Sequence, residues 1–272
     1  MIAALARAAA VLGDQAYAEA ARRALAFVEA KLVREDGRLL ARYRDGDAAH
    51  EAYLDDYAFL AWGLLELYGA TFEARHLDAA LKLAREMERL FRDPTEGGYF
   101  FTGEDGEALL ARPKEAYDGA TPSGNSIAAL VLLRLARITG DSALDRAADS
   151  LFRAFSGVVS RVPSAHTQLL AALDFALGPA REIVIAGEPG DPEALAMFRV
   201  VASKFRPRQV VLWNRPDQAR LLHSIAPFVA GQRTAGNSAA AYVCENYACK
   251  APVTSAAALS ALLDAPTRGA AS

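Results

Sequence analysis

The stretch YDGATPSGNSIAALVLLRL, residues 117–135, places eight small or turn-forming residues, Asp118 to Asn125, directly before a strongly apolar helix. One residue suffices to cap a helix, so a loop this rich in hydroxyl, amide and carboxylate groups predicts more than a cap. The stretch HEAYLDD, residues 50–56, leads into the apolar helix AFLAWGLLEL in the same way. Two polar loops that run into buried helices indicate a candidate site at the helix starts.

Helical periodicity dominates residues 1–178. Helices that are apolar on nearly every side alternate with amphipathic helices, in the order 2–12, 15–33, 54–68, 75–91, 124–138 and 142–155. A helix that is apolar all round needs protein on all sides, whereas an amphipathic helix borders solvent. The alternation therefore predicts an inner and an outer layer of helices.

The loops between these helices alternate between short and long. Each inner-to-outer connection is short, and the outer-to-inner connections, 34–53 and 92–122, are long and carry the predicted hairpins DGRLLARYRDG and EGGYFFTGEDG. Stacked helical hairpins that repeat every 60 residues or so bury a continuous core. The pattern predicts a mainly α protein, a partial (α/α)6 toroid with its site on the long-loop face. Three hairpins and a helix near 164–177 leave the ring incomplete.

The pattern changes after Gly178. The β-branched runs EIVIAGE (182–188) and QVVLWN (209–214) flank a helix, AAYVCENYAC (240–249) predicts a third strand, and a last helix is expected at 254–263. We therefore expect toroid hairpins over 1–178 and a small βαβ-type α/β appendage over 179–272. The sequence has no G-x-G-x-x-G, P-loop or G-x-S-x-G motif, so nothing in it predicts a nucleotide site.

The amino-acid composition restricts which binding partners and which cellular compartment we expect. A net charge of −3 gives no field that attracts nucleic acid, and the apolar N-terminal run is too short to span a membrane. Two cysteines predict a reducing, cytoplasmic setting, and the heavy Ala, Arg and Leu usage fits a GC-rich bacterial genome. We expect Cys244 and Cys249 to be buried thiols, the alternative being a disulfide if the strand turns at Asn246.

Asp55 and Asp56 are the first candidate catalytic residues. As neighbours on a helix they point about 100° apart, so one can cap the helix while the other faces the loops. A buried carboxyl beside Tyr53 and Tyr57 would have a raised pKa, which suits a general acid. The alternative is that both carboxylates only stabilise the start of the helix through its dipole.

The loop DGATPSGN supplies the other candidates. Either Thr121 or Ser123 is expected to cap the helix, which leaves Asp118, Ser123 and Asn125 for hydrogen bonds to a ligand. The alternative is an elaborate capping loop.

Aromatic rings and histidines add weaker candidates. Tyr99, in GGYFFTGED, belongs to a hairpin that could stack on a sugar, although packing onto the helices is the commoner explanation. His50 precedes Asp55 by five residues, and His76 is expected on the surface of its helix. No metal-ligand spacing occurs among the histidines, so neither a metal nor a cofactor is expected.

The strings YLDDYAFLAWGLLELYGATF, GGYFFT, YDGATPSGNSIAALVLLRLARITGD and AYVCENYACKAPVT resemble the thioredoxin-domain proteins related to spermatogenesis-associated protein 20, with YyaL-type bacterial members. The resemblance covers essentially the whole chain, as the C-terminal half of such proteins. It implies a toroid similar to six-hairpin glycosidases and N-acylglucosamine 2-epimerases, with a sugar as ligand. Asp55, Asp56 and Asp118 would then be acid/base or hydroxyl-binding groups, and the substrate would be positioned by Tyr57, Tyr99, Ser123, Asn125 and His50.

The sequence departs from that family because it lacks the thioredoxin-like domain and the first toroid hairpins. We therefore expect a truncated part of a longer protein, inactive alone, which a thioredoxin-like domain, a missing toroid half in trans or self-association would complete. Two hypotheses remain. One is a carbohydrate-binding or carbohydrate-processing protein, and the other is a non-catalytic scaffold that works with a thioredoxin-like partner.

Overall fold

The computed structural model describes residues 1–107 and 109–265, which are mainly helical, as predicted. The α-helices in these ranges are α1 (Ile2–Leu12), α2 (Gln15–Lys31), α3 (Leu54–Thr71), α4 (Ala74–Phe91), α5 (Gly124–Thr139), α6 (Ser142–Arg161), α7 (Thr167–Leu177), α8 (Pro192–Ala202), α9 (Ala219–Ile225) and α10 (Ala256–Asp264). The strands are β1 (Leu40–Arg44), β2 (Asp47–Glu51), β3 (Arg181–Ala186), β4 (Gln209–Asn214), β5 (Ala240–Glu245) and β6 (Ala248–Cys249).

The chain divides into two compact units. The first unit comprises Met1–Thr71, His76–Ala136 and Asp141–Leu173, and the second comprises Phe72–Arg75, Arg137–Gly140 and Asp174–Ser272. None of the helices in the described part of the chain has the length and the hydropathy that crossing a membrane requires.

The alternation of buried and half-buried helices in the first unit is confirmed for α3 to α6. Helices α3 and α5 are buried along most of their length, whereas α4 and α6 bury one apolar face and expose the other. Helix α1 differs from the expectation. It packs against α2 and α3, but only Ala6 and Ala9 are fully buried, and Val11 and Leu12 are exposed. The prediction that α1 is buried all round is therefore wrong, because the helices that it contacts cover only its alanine-rich side.

The first long loop forms a hairpin that extends beyond the predicted stretch DGRLLARYRDG (36–46), since β1 lies inside that stretch and β2 follows it. Strands β1 and β2 pair antiparallel with Arg44 opposite Asp47, so Asp45 and Gly46 form the turn, at φ of 52° and 85°. An Asp-Gly pair suits this turn because both central residues need a positive φ.

In the described residues of the second long loop, 92–107 and 109–122, the predicted strands do not form, and an isolated bridge joins Arg92 and Tyr99. Gly97 and Gly98 both adopt a positive φ, which interrupts an extended strand. Side chains hold this loop instead. Asp93 accepts the N–H groups of Thr95 and Glu96 and the ammonium of Lys114 at 2.6 Å. The Lys114 ammonium is the main reason that the pKa of Asp93 falls to about 2.

The second unit contains a four-stranded sheet in the order β4-β3-β5-β6. Strands β3 and β4 are parallel and α8 connects them, while β5 pairs antiparallel with β3. Helix α8 begins where Asp191 accepts two backbone N–H groups and Pro192 takes the first position. The buried core of the sheet and its helices includes Ile183, Ile185, Met197, Leu259 and Leu263.

Two expectations about polar residues need correction. Cys244 and Cys249 form a disulfide rather than two thiols, because the chain reverses at Asn246 and Tyr247 and brings them opposite each other on β5 and β6. His76 is buried rather than on the surface, and its Nδ1 lies 3.2 Å from the Thr71 hydroxyl.

Candidate functional site

The starts of α3, α5 and α7 are joined by carboxylates. Asp55, in the first turn of α3, accepts the N–H of Gly124, the first residue of α5. Asp118 accepts the N–H of Ser123 before α5 and those of Gln168 and Leu169 in the first turn of α7. We call Asp55, Asp56, Asp118, Ser123 and Gly124 the helix-start cluster.

Asp56 closes the start of its own helix. Its carboxylate accepts the N–H of Tyr53 at 2.9 Å, which is the return bond of a capping box from the third helical position to the cap residue. Burial raises the pKa of Asp56, and the hydrogen bond from Tyr53 and the charge of Arg38 oppose that rise.

Asp55 points away from its own helix start, towards α5. Gly124 permits this contact, because a Cβ at that position would overlap the Asp55 carboxylate. Burial raises the pKa of Asp55, the Gly124 N–H opposes the rise, and the charges of Asp56 and Glu115 add to it. The helix start therefore carries a half-buried carboxyl that accepts protons more readily than an exposed aspartate does.

Asp118 holds two segments together with three hydrogen bonds. One oxygen accepts the N–H of Ser123 at 2.9 Å, and the other accepts those of Gln168 at 2.8 Å and Leu169 at 3.2 Å. Two of these donors belong to the first turn of α7, which has no partners within the helix for its first N–H groups. Asp118 thus caps α7 from a residue about 50 positions earlier in the chain.

Ser123 is the N-cap of α5, so of the two predicted caps the structure selects it over Thr121. Its hydroxyl accepts the N–H of Ser126 at 3.1 Å and donates to the Ser126 hydroxyl at 2.9 Å. Both serines are buried, and each provides the hydrogen-bond partner of the other's hydroxyl group.

Asn125 and Tyr99 form a separate buried pair outside the helix-start cluster. The Asn125 amide accepts the N–H of Tyr99 and donates to the carbonyls of Tyr99 and Glu115, at 2.8 to 3.0 Å. The Tyr99 hydroxyl donates to Glu88, and burial together with that carboxylate raises the pKa of Tyr99 well above its ordinary value. The pair ties the second long loop to α5.

Tyr57 is fully buried and its hydroxyl accepts hydrogen bonds from Arg38 and from the N–H of Leu39, both at 3.0 Å. Arg38 also binds Asp105 through two nitrogens, at 2.9 and 3.2 Å. This arginine joins the two long loops, and the sequence analysis did not identify it. Its only signal was a charged residue directly before Leu39 and Leu40.

The two long loops also contain His50 and several exposed aromatic rings. His50 lies on β2, exposed and at a φ of 62°. Tyr53 is 39% exposed and stacks on Phe101, with ring centroids 4.7 Å apart. The backbone N–H of Leu54 donates to the Phe101 carbonyl at 3.0 Å. Tyr117, next to Asp118, is 65% exposed. Sequence reasoning missed the Tyr53–Phe101 pair, because the two residues lie in different loops.

Among the residues that the structure describes, no group of three or more His, Cys, Asp or Glu side chains is placed to hold a metal ion. The chemistry that the helix-start cluster offers is hydrogen bonding and proton transfer by carboxyl groups, beside aromatic faces.

No protein-family model matches the sequence. The chain is 38% identical over 212 residues to spermatogenesis-associated protein 20 of Homo sapiens and 37% identical to that of Mus musculus. It is also 29% identical over 209 residues to uncharacterized protein B0495.5 of Caenorhabditis elegans. The alignments cover 78%, 78% and 76% of this chain, but 27%, 27% and 28% of the relatives, all of them animal proteins. Along the aligned residues the chain is a homologue of spermatogenesis-associated protein 20, the relationship that its motifs predict.

Proposed function

We propose that the helix-start cluster binds a carbohydrate on the long-loop face of a partial (α/α)6 toroid. The observation that carries the proposal is Asp55, a half-buried carboxyl with a raised pKa at the meeting point of two helix starts. A carboxylate accepts hydrogen bonds from hydroxyl groups, and charge-assisted bonds of this kind are stronger than neutral ones.

The exposed rings supply the second half of such a site. Tyr53, two positions before Asp55, stacks on Phe101, and Tyr117 directly precedes Asp118. Aromatic rings combine a large apolar face with, in tyrosine, a polar hydroxyl. A sugar ring has an apolar face of C–H groups and an edge of hydroxyls, so it fits an aromatic face next to a carboxylate.

Binding is favoured over hydrolysis. Cleavage of a glycosidic bond needs two carboxyl groups on either side of it. Asp56 accepts the N–H of Tyr53, Asp118 accepts three backbone N–H groups and Asp55 accepts the N–H of Gly124, so all three predicted catalytic carboxyls already hold a helix start. A processing reaction would draw its second acid or base from elsewhere.

The test is isothermal titration calorimetry with a panel of neutral mono- and disaccharides. We expect a ligand whose affinity falls about tenfold or more in Asp55→Asn, the loss expected for one hydrogen bond to a charged group. Asp149→Asn, at an exposed carboxylate on α6 that pairs with Arg153, is the matched control and should leave the affinity unchanged. Equal affinity in wild type and Asp55→Asn would refute the assignment.

A second function, a non-catalytic scaffold for a thioredoxin-like partner, is favoured by a specific observation. The polar side chains of Asp118, Ser123 and Asn125 already have backbone or side-chain partners within the protein. If this function is correct, no saccharide binds. Asp118→Ala would then weaken association with a thioredoxin-like domain, measured by co-purification, by loosening α7.

A further inference from the structure

The disulfide of the second unit lies at the tip of a tight hairpin, and its two cysteines differ in their exposure to solvent. Cys244 on β5 and Cys249 on β6 are directly opposite each other, and Asn246 and Tyr247 form the turn, with φ of 53° and 62°. Cys244 is fully buried, whereas Cys249 is exposed. A thiol that approaches from solvent therefore meets the Cys249 sulfur first.

A buried amide donates to both sulfurs. Gln232 is 6% exposed, and its Nε2 lies 3.6 Å from Cys244 Sγ and 3.3 Å from Cys249 Sγ. A disulfide sulfur is a weak acceptor, whereas a thiolate carries a full negative charge and gains far more from a hydrogen-bond donor. Gln232 is thus placed to stabilise the thiolate that forms when the disulfide opens.

A buried carboxyl lies on the same side of the sheet. Glu182 on β3 is directly opposite Cys244, and side chains at opposed positions point to the same face. Glu182 is fully buried, accepts the Tyr247 N–H at 3.1 Å and lies 3.7 Å from Arg137. Burial raises its pKa, with the Tyr247 hydrogen bond and the Arg137 charge opposing.

The remaining charged groups around Glu182 are Glu245, which raises the Glu182 pKa further, and Arg181, which pairs with Glu245 at 3.4 Å. Glu182, Cys244 and Cys249 therefore form a row across three neighbouring strands, beside Gln232. We call these four residues the disulfide row.

The short span of the disulfide argues against a purely stabilising role. Its cysteines are five positions apart, and a cross-link that closes so short a loop removes less entropy from the unfolded chain than one that closes a long loop.

We propose that the disulfide row is a thiol–disulfide exchange site that accepts two electrons from a dithiol. A thiolate of the dithiol attacks Cys249 Sγ, the Cys244–Cys249 bond breaks, and Cys244 leaves as a thiolate, which takes a proton from Glu182. The second thiol of the dithiol loses its proton to solvent, and its thiolate attacks the dithiol's own sulfur in the mixed disulfide and releases Cys249 as a thiolate, which takes a proton from solvent. The dithiol is oxidised to a disulfide, and the two cysteines are reduced. This inference is independent of the proposed carbohydrate site.

The first experiment treats the full chain with dithiothreitol, with and without urea, and counts free thiols by alkylation and mass spectrometry. We expect two free thiols to appear without denaturant. The single-cysteine variants Cys244→Ser and Cys249→Ser are then mixed with an aromatic disulfide. Exposed Cys249 should react about tenfold or more faster than buried Cys244. Reduction only in urea, equal rates in the two variants, or two free thiols that oxidants do not pair would each overturn the proposal.

The second experiment separates proton transfer from a merely structural role. We expect Glu182→Gln to slow reduction and to flatten the pH dependence of reoxidation by oxidised dithiothreitol, with unchanged far-ultraviolet circular dichroism. Gln232→Met, of similar volume, removes the donor and should also slow reduction, so it carries the test if Glu182→Gln does not fold. If both variants had the reduction rate and the pH dependence of the wild type, Glu182 and Gln232 would have no role in the exchange step.

Discussion

At the scale of single residues, adjacent aspartates have different roles because successive helix positions face about 100° apart. Asp56 turns back to the N–H of Tyr53, while Asp55 reaches the N–H of Gly124 on another helix. Both carboxyls have a raised pKa, for which burial is the main cause.

The raised pKa of Asp55 makes stability depend on pH. The folded protein holds this proton more tightly than the unfolded chain, so the contribution of Asp55 is fully present below the unfolded pKa, near 3.8, and is lost as pH rises through the folded pKa. We expect Asp55→Asn, which cannot ionise, to gain stability relative to wild type between pH 4 and pH 7. Urea unfolding at both values measures this, and a difference that is constant or that shrinks towards pH 7 would contradict it.

Glu66 shows what the sequence could not reveal at this scale. Helix α3 was expected to be apolar on every side, yet Glu66 is buried in its C-terminal half. Its carboxylate binds Arg134 at 2.6 Å and Arg7 at 3.3 Å and accepts the Trp62 ring N–H at 3.1 Å. Both arginines lie about 60 residues or more away in sequence, so helical periodicity carries no signal of the pairing. Burial alone would raise the pKa of Glu66, but the arginines outweigh it and lower it.

Glu66→Ala should therefore destabilise the protein by about 3–5 kcal/mol, because it leaves Arg134 largely buried without its counter-charge. Glu86→Ala is the control, since Glu86 pairs with Arg89 on the exposed side of α4 and such surface pairs contribute at most about 1 kcal/mol. Chemical denaturation of both variants gives the comparison. Similar losses of stability in the two variants would show that the ion pair of Glu66 and Arg134 contributes no more than a surface pair.

At the scale of elements, helices α1 to α8, helix α10 and strand β1 follow from periodicity and turn residues, whereas α9, β2 and the second long loop were not predicted. Its aromatic run predicted strands, but Gly97 and Gly98 take a positive φ and the buried Asn125 amide binds the backbone of Tyr99. Sequence placed Asn125 at a helix start and assigned its amide to a ligand. Its actual partner is a loop 26 positions earlier, which local patterns cannot identify.

Asn125→Ala should cost about 2–4 kcal/mol, because it leaves the buried N–H and carbonyl of Tyr99 without partners and removes a hydrogen bond from the Glu115 carbonyl. Thr121→Ala, at an exposed position of the same loop, is the control and should change stability by less than about 0.5 kcal/mol. Thermal unfolding monitored by circular dichroism compares them. A loss in Asn125→Ala no larger than that of the control would show that the amide does not hold the loop.

At the scale of the whole molecule, hydrophobic patterning predicted which helices are buried but not how much protein surrounds the first one. Helix α1 exposes Val11 by 69% and Leu12 by 66%, and Met1 by 91%. Periodicity reports that a helix is apolar, and it cannot report which neighbours are present to cover it.

This exposed apolar surface should bind a hydrophobic dye and promote self-association. We expect light scattering coupled to size-exclusion chromatography to show a mass that rises with concentration, and the double variant Val11→Lys, Leu12→Lys to lower both the mass and the dye signal. A monomer that binds no dye would contradict the expectation.

The proposed carbohydrate site is tested most directly by a ¹H–¹⁵N correlation spectrum recorded during titration with the saccharide panel. The account predicts that the amide of Gly124, which donates to Asp55, and those of Tyr53 and Phe101 shift together with one ligand. These shifts should disappear in Asp55→Asn. Shifts confined to other parts of the chain, or a spectrum that no saccharide alters, would contradict the assignment of the helix-start cluster as a binding site.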